Sequence, residues 1–338
     1  MKRIISIDFL RGLAIIGVLL YHFLHGFNSK ILKISNFDNN YILIGKYGVL
    51  LFFIISGFVI TNSVYSSKNY KIFLYKRFIR IYPTFFISVI ITYIMINFLF
   101  LEERIVGIED FLLNLIFFPL FFSIPPVDGV YWSLIIEFEF YFFIAFLIYL
   151  NFLEDKKIEL LIIFYILIAF LNYFFLQESF IYKVCNKALK FGYFSYFFAG
   201  IIFYYCFKNG FKFKYIIILL NLIILSFLYD KFGVNYMAFL TYIFFFIFVF
   251  LINEQVYIKF FLMRIVVFVG VISYPLYLLH QNIGYAIMKK LIIFYHVPYM
   301  LSLLITILLV VILASLISFY FEKPIIKYFK RKVINSKK

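Results

Sequence analysis

The chain has 338 residues, of which 66% are hydrophobic and 14% are charged, and its formal net charge is +16. Soluble domains are about half apolar, so this composition excludes a soluble globular protein and indicates a membrane protein. Because the basic residues lie in short connections between apolar runs, the positive charge indicates membrane topology and does not indicate a surface for nucleic acid.

The apolar runs have the length of membrane-spanning helices, which need about 20 residues each, and we count about ten of them. They lie at 6–27, 42–64, 80–101, 130–150, 158–177, 190–207, 214–230, 233–252, 264–285 and 299–321. The sequence therefore predicts an all-α polytopic membrane protein. We expect one membrane-embedded domain over residues 1–338, without a soluble extracytoplasmic domain. Segment 108–122 is short for a span, and we interpret it as interfacial or re-entrant.

Lysine and arginine predict the orientation of the chain, since cytoplasmic connections carry an excess of both. Alternate connections, counted from the N-terminus, hold most of the basic residues, and the last of these is the tail 322–338. Both termini are therefore predicted to be cytoplasmic. The basic tail is expected to contact anionic headgroups of the membrane lipids.

The first apolar run, 7–27, contains Asp8, Arg11, His22 and His25. On a helix that turns about 100° per residue, Arg11 and His22 fall on one stripe, with the other two ionisable groups near it. Such groups are costly inside a membrane and usually face a functional site. The alternative interpretation is a structural Asp8–Arg11 pair with two interfacial histidines.

Two further groups of residues suggest contacts with a ligand. Ser56 and Gly57 lie in the second run, where small residues let a thin ligand or a neighbouring helix approach closely. Arg77 and Arg80 lie one helical turn apart at the start of the third run, and such a pair suits a phosphate. The alternative for Ser56 and Gly57 is helix packing. The alternative for Arg77 and Arg80 is a positively charged anchor on the cytoplasmic side of the membrane.

Glu137 in the fourth run and His280 in the ninth lie in the predicted outer half of the membrane, at the level of His22. Arg11, Arg77 and Arg80 share a level near the inner face. This two-level layout predicts group transfer across the membrane. His22 would act as the general base or the transient acceptor, with Glu137 as its orienting partner.

At these positions the sequence closely resembles bacterial acyltransferase family 3, integral-membrane O-acyltransferases that modify cell-envelope glycans. The matching elements follow the family order along almost the whole chain. They are Ile7 to Gly12, the Arg11 to His22 spacing, Gly48 to Phe58, Arg77 to Pro83, Trp132-Ser133 to Glu137, Ser273 to Tyr277 and His280, and Phe321 to Pro324.

The resemblance implies an acyl-CoA donor, usually acetyl-CoA, that binds from the cytoplasm. The implied acceptor is a hydroxyl of an envelope glycan or glycolipid outside the bacterial cytoplasmic (inner) membrane. His22 is the leading catalytic candidate, with Arg11 as its motif partner. The resemblance supports the importance of Arg77 and Arg80, whose donor-binding role rests on charge. Further candidates are Asp8, Trp132, Ser133, Tyr277 and His280.

The resemblance also bears on cofactors and partners. We expect no permanently bound cofactor and no metal, since His22, His25, His280 and His296 lack the spacing of a zinc site. Some relatives carry an esterase-like extracytoplasmic domain that this chain is expected to lack. Where transfer needs that domain, a separate extracytoplasmic partner or a homo-oligomer would supply it.

The main alternative function is a transporter or flippase for a lipid-linked sugar or a small envelope precursor, since intramembrane charges also mark substrate paths. Transport would produce no acylated product. The sequence shows no inverted repeat and no pair of interrupted spans in corresponding halves.

Overall fold

The computed structural model describes residues 4–33, 44–65, 69–116, 124–152, 154–177, 179–230, 232–233, 235–252 and 254–335. These residues form helices and no strands, which confirms the predicted all-α class. Residues 117–122 of the predicted re-entrant segment lie outside the described residues. Residues 42–43 of the second run and 336–338 of the basic tail do so as well.

The α-helices follow one another along the whole chain. In the first half they are α1 Ile5–Leu20, α2 Phe27–Lys30, α3 Gly48–Tyr65, α4 Tyr70–Phe98, α5 Ile108–Asn114, α6 Trp132–Tyr149 and α7 Asp155–Phe175. In the second half they are α8 Phe180–Leu189, α9 Phe191–Asn209, α10 Phe213–Leu228, α11 Asn235–Phe246, α12 Glu254–Lys259, α13 Phe261–Val271, α14 Ser273–Lys289, α15 Tyr299–Ile317 and α16 Lys323–Asn335. Short π-helical segments follow some of them, at Tyr21–Gly26, Ile247–Leu251, Lys290–Phe294 and Ser318–Glu322.

Six helical segments within the described residues are long and apolar enough to cross a membrane. They are Ile5–Lys30, Gly45–Val64, Tyr70–Phe98, Gly129–Tyr149, Asp155–Phe175 and Tyr299–Phe329. A seventh is possible if α13 and α14 form one bent span. The predicted runs 214–230 and 233–252 correspond to shorter apolar helices, Phe213–Leu228 and Met237–Leu251. The total of ten spans and the side of each terminus remain predictions.

The structure corrects two boundaries. The span predicted over 264–285 is interrupted, because the chain bends by 79° between α13 and α14, around Ile272. Pro275 accounts for this bend: it has no N–H for the carbonyl of Val271, and its ring would collide with that carbonyl. The helix of the third run, α4, begins at Tyr70 rather than at residue 80. Lys and Arg are good helix formers, so the helix extends beyond the apolar run.

The chain divides into two compact units. Unit 1 comprises Met1–Ala14, Lys46–Leu74 and Ile136–Val267; unit 2 comprises Ile15–Gly45, Tyr75–Ile135 and Phe268–Lys338. Each unit is therefore assembled from segments that are far apart in the sequence. The prediction that the chain forms one domain remains a prediction.

The core of unit 1 is the contact between α3 and α9. A Cβ on Gly57 would collide with the carbonyl of Phe197, and a Cβ on Gly200 would collide with the carbonyl of Ile54. Small residues on both helices thus let the two backbones touch. The aromatic rings of Phe53 and Phe197 stack beside this contact, with their centroids 4.6 Å apart.

Unit 2 is built around α14, in which nearly every residue from Ser273 to Met288 is buried. The hydroxyl of Tyr274 donates to the carbonyl of Ile81 on α4 at 2.8 Å. The ring of Phe23 lies against Gly284, where any side chain would displace it. A helix with chemistry-bearing residues, including His280, is therefore enclosed by protein.

Candidate active site

His22 lies in the π-helical segment Tyr21–Gly26 that follows α1. The hydrogen bonding changes there, so angular positions derived from an α-helix apply only as far as Leu20. Gly26 allows the close packing of this segment, because a Cβ at this position would collide with the hydroxyl of Tyr285. π-Helical turns inside helices often occur at functional sites.

The side chains of His22, His280 and Tyr285 meet in unit 2, and we call them the histidine cluster. The Nδ1 atom of His22 lies 3.3 Å from the hydroxyl oxygen of Tyr285, within hydrogen-bonding distance. The ring centroids of His22 and His280 are 5.0 Å apart. The structure thus brings together the two histidines that the sequence predicted to share a level in the membrane.

His280 is completely buried, and its two ring nitrogens differ in their contacts. Nδ1 lies 2.8 Å from the carbonyl oxygen of Tyr277. A carbonyl only accepts, so this nitrogen carries the proton. Nε2 is buried and has no hydrogen-bond partner among the described residues. This nitrogen is therefore free to accept a hydrogen bond from a ligand or from water.

Asp128 holds the chain segment before α6 against α14, close to His280. It is fully buried, and its carboxylate accepts from the backbone N–H of Asn282 at 2.9 Å and of Val130 at 3.2 Å. The Asn282 side chain donates to the carbonyl of Val127 at 2.8 Å. Burial raises the pKa of Asp128 to about 7, and these hydrogen bonds only partly offset that effect.

Ser133 and Tyr277 belong to the same region of unit 2. Their hydroxyl oxygens are 2.8 Å apart, and the hydroxyl of Tyr277 donates to the carbonyl of Val130 at 3.0 Å. Both are buried, whereas the neighbouring Trp132 is half-buried. The two hydroxyls therefore help to place the start of α6 beside α14, which is a positioning role.

A second group of candidates meets in unit 1, and we call it the carboxylate cluster: Glu137, Ser56 and Tyr141. The carboxylate of Glu137 accepts from the hydroxyl of Ser56 at 2.7 Å and from the hydroxyl of Tyr141. Sequence reasoning assigned Glu137 and Ser56 to different roles, and the structure joins them. The pairing of Glu137 with His22 remains a prediction.

The remaining predicted donor-binding residues differ in their surroundings. Arg11 pairs with Asp8 at 3.4 Å, which is the contact that the structural alternative expected. Arg77 is only 7% exposed and Arg80 is half-buried, so Arg77 in particular is more than an anchor at the headgroups. Gly57 lets α3 approach α9 closely, which is the helix-packing alternative, and its contact with a ligand remains a prediction.

Sequence reasoning missed Tyr141, Asp128 and Tyr285. Tyr141 follows Glu137 by one helical turn, a spacing that places two side chains on one face. Asp128 directly precedes the first turn before α6, the position that favours an aspartate cap. Tyr285 is 263 residues from His22, and nothing local marks it.

Residues 4–321 match the family model for the acyltransferase domain of acyltransferase family 3. Neither the curated proteins nor the solved structures gave a match. Because the match covers nearly the whole chain and includes both clusters, this protein belongs to acyltransferase family 3 and is a membrane acyltransferase.

Proposed function

We propose that this acyltransferase transfers an acyl group, acetyl in the first instance, from cytoplasmic acyl-CoA to a hydroxyl outside the membrane. The acceptor is a cell-envelope polysaccharide or glycolipid, and the membrane is the bacterial cytoplasmic membrane. The observation that carries this proposal is the histidine cluster, in which His22 contacts Tyr285 and His280 keeps a buried nitrogen without a partner among the described residues. Transfer to a hydroxyl requires a base of this kind.

His22 is the proposed general base. When its Nδ1–H donates to the Tyr285 oxygen, Nε2 is left to accept the proton of the acceptor hydroxyl. The hydroxyl oxygen then attacks the thioester carbonyl, the carbon–sulfur bond breaks, and the CoA thiolate leaves. The imidazolium returns its proton to that thiolate. General-base catalysis of this kind contributes about 10²- to 10⁴-fold.

The donor is proposed to bind through its phosphates to arginines near the cytoplasmic side. Arg77 and Arg80 supply two planar guanidinium groups one turn apart, and Arg11 supplies a third. Glu137 is proposed to balance the charge of protonated His22. Its two hydroxyl contacts support this role because they hold the carboxylate in one orientation.

The test compares the envelope glycans of a deletion strain complemented with the wild-type chain or with His22→Ala. We expect the wild type, and not the variant, to restore O-acyl groups detected by NMR. Unchanged acyl content in the deletion strain would reject the enzyme proposal, and full rescue by His22→Ala would reject the assigned base. Incubation of the purified protein with acyl-CoA alone decides whether an acyl-histidine forms, which distinguishes a covalent acceptor from a base.

One observation favours the transporter alternative: the helix break around Ile272, since interrupted helices often line substrate sites in transporters. Liposomes that contain the purified protein separate the two functions. Acyl transfer predicts release of CoA with formation of an acylated acceptor. Transport predicts movement of an unmodified lipid-linked sugar, independent of acyl-CoA.

A further inference from the structure

Arg104 ends the short helical turn Glu102–Arg104, between α4 and α5 in unit 2. Its side chain is half-buried, and its Nε atom is buried. The guanidinium group forms no hydrogen bond and no ion pair with any residue in the described part of the chain. A buried guanidinium nitrogen without an acceptor is costly, and an acceptor atom of a bound ligand would remove that cost.

Two acidic residues of this region, Glu103 and Asp128, accept hydrogen bonds from other donors. Both carboxylate oxygens of Glu103 accept from the Nζ atom of Lys289, at 2.8 and 2.9 Å. The carboxylate of Asp128 accepts from the backbone N–H of Asn282 and of Val130. Within the described residues, neither acid accepts a hydrogen bond from Arg104.

The positive charge of Arg104 acts on the histidine cluster. It interacts electrostatically with His22, Tyr285 and Asp128, and the charge of Lys30 acts on His22 and Asp128 as well. His22 becomes positively charged when it accepts a proton. A negative charge bound beside Arg104 would balance that charge.

We infer that Arg104, with Lys30, binds an anionic group of the acceptor glycan, a carboxylate or a phosphate, next to the hydroxyl that is acylated. This inference rests on the proposed function, and it narrows the acceptor to acidic glycans or glycolipids. The planar guanidinium suits either anion, because both accept two parallel N–H bonds. Such an acceptor brings with it the charge that stabilises protonated His22.

The test measures binding to the purified full-length chain in nanodiscs of phosphatidylcholine, without acyl-CoA. Oligogalacturonate and glycerol-phosphate oligomers are the anionic probes, and a neutral maltooligosaccharide of equal length is the reference. We expect the anionic probes to bind, and Arg104→Gln to weaken them at least about tenfold, as for a charge-assisted contact. Arg104→Lys should weaken binding of the anionic probes less, since lysine keeps the charge and loses only the two parallel N–H donors.

Arg264→Gln is the matched control, because Arg264 is exposed on α13 and undergoes the same change of charge. We expect it to bind the probes as the wild type does. If Arg104→Gln does not fold, Arg104→Lys and Lys30→Gln take its place, and unchanged binding in both overturns the inference.

Two results would contradict the inference. One is equal binding of anionic and neutral oligosaccharides to the wild type. The other is an Arg104 effect seen only with phosphatidylglycerol, which would assign this site to a lipid headgroup. The proposed function is judged separately: if the wild type binds the anionic probes but transfers no acyl group to them or to extracted envelope glycan, acyl transfer fails while the anion site stands.

Discussion

The carboxylate cluster of unit 1 and the histidine cluster of unit 2 differ in how completely their polar atoms are paired. Glu137 accepts from two hydroxyls, whereas the Nε2 atom of His280 has no partner among the described residues. Glu137 is half-buried and its partners are built in, whereas the buried nitrogen of His280 is available to a substrate. We therefore expect the reacting hydroxyl to bind in the histidine cluster and the carboxylate cluster to support it.

The largest effect is expected from His22→Asn, which removes the proposed base and retains a polar side chain. Acyl transfer, measured as CoA release in liposomes, should fall about 10²- to 10⁴-fold. The matched variant is His296→Asn, because His296 is exposed and has a positive φ of 51° that asparagine tolerates. Equal activity of the two variants would remove His22 from the mechanism.

Glu137→Gln should have the next largest effect, since the amide keeps the shape of the side chain and loses its charge. Hydrogen bonds to a charged group contribute about 1.5–3 kcal/mol, so we expect transfer to fall about 10- to 100-fold. Glu154→Gln is the control, because Glu154 is exposed and its ion pair with Lys157 contributes about 0.5 kcal/mol. Loss of thermal stability without loss of turnover by folded protein would make Glu137 a structural residue only.

Gly57→Ala tests the contact between α3 and α9 in unit 1. The added methyl group collides with the Phe197 carbonyl, and overpacking of this kind costs about 1–3 kcal/mol. Gly107→Ala is the control, since a Cβ on Gly107 meets no atom within 4 Å. Thermal unfolding in detergent should show a lower unfolding temperature for Gly57→Ala than for Gly107→Ala. Equal unfolding temperatures would show that α3 and α9 can move apart without a cost in stability.

Asp128→Asn tests the hydrogen bonds between Asp128 and the backbone of Asn282 and Val130. The quantity measured is the pH dependence of the free energy of unfolding. The folded protein keeps the Asp128 proton between the ordinary carboxyl pKa of 3.8 and about 7, and the unfolded chain does not. Stability from this group therefore falls as pH rises through that window and is level above it.

Asparagine cannot titrate, so the wild type should lose about 3 kcal/mol relative to the variant between about pH 5 and about pH 8. Unfolding by denaturant at several pH values measures this difference. Parallel curves for the two proteins would show that Asp128 does not hold a proton in the folded state.

Proline shows how far local sequence predicts the fold. Pro83 lies within α4, which continues unbroken to Phe98, whereas Pro275 follows a bend of 79°. The residue is the same, so proline alone does not predict whether a membrane helix continues or bends. The apolar run 264–285 thus indicated helical structure correctly, but it did not indicate the bend around Ile272.

The sequence by itself determined the helical class, the position of most apolar helices and the family, because lipid imposes length and composition on each span separately. Only the tertiary structure decided that His22 meets Tyr285 and His280, that Ser56 binds Glu137, and that Arg104 keeps its charge unpaired within the described chain. Lipid-facing and helix-facing positions are equally apolar here, so the pattern of a span does not specify its neighbours. Those contacts depend on how helices far apart in the sequence pack together.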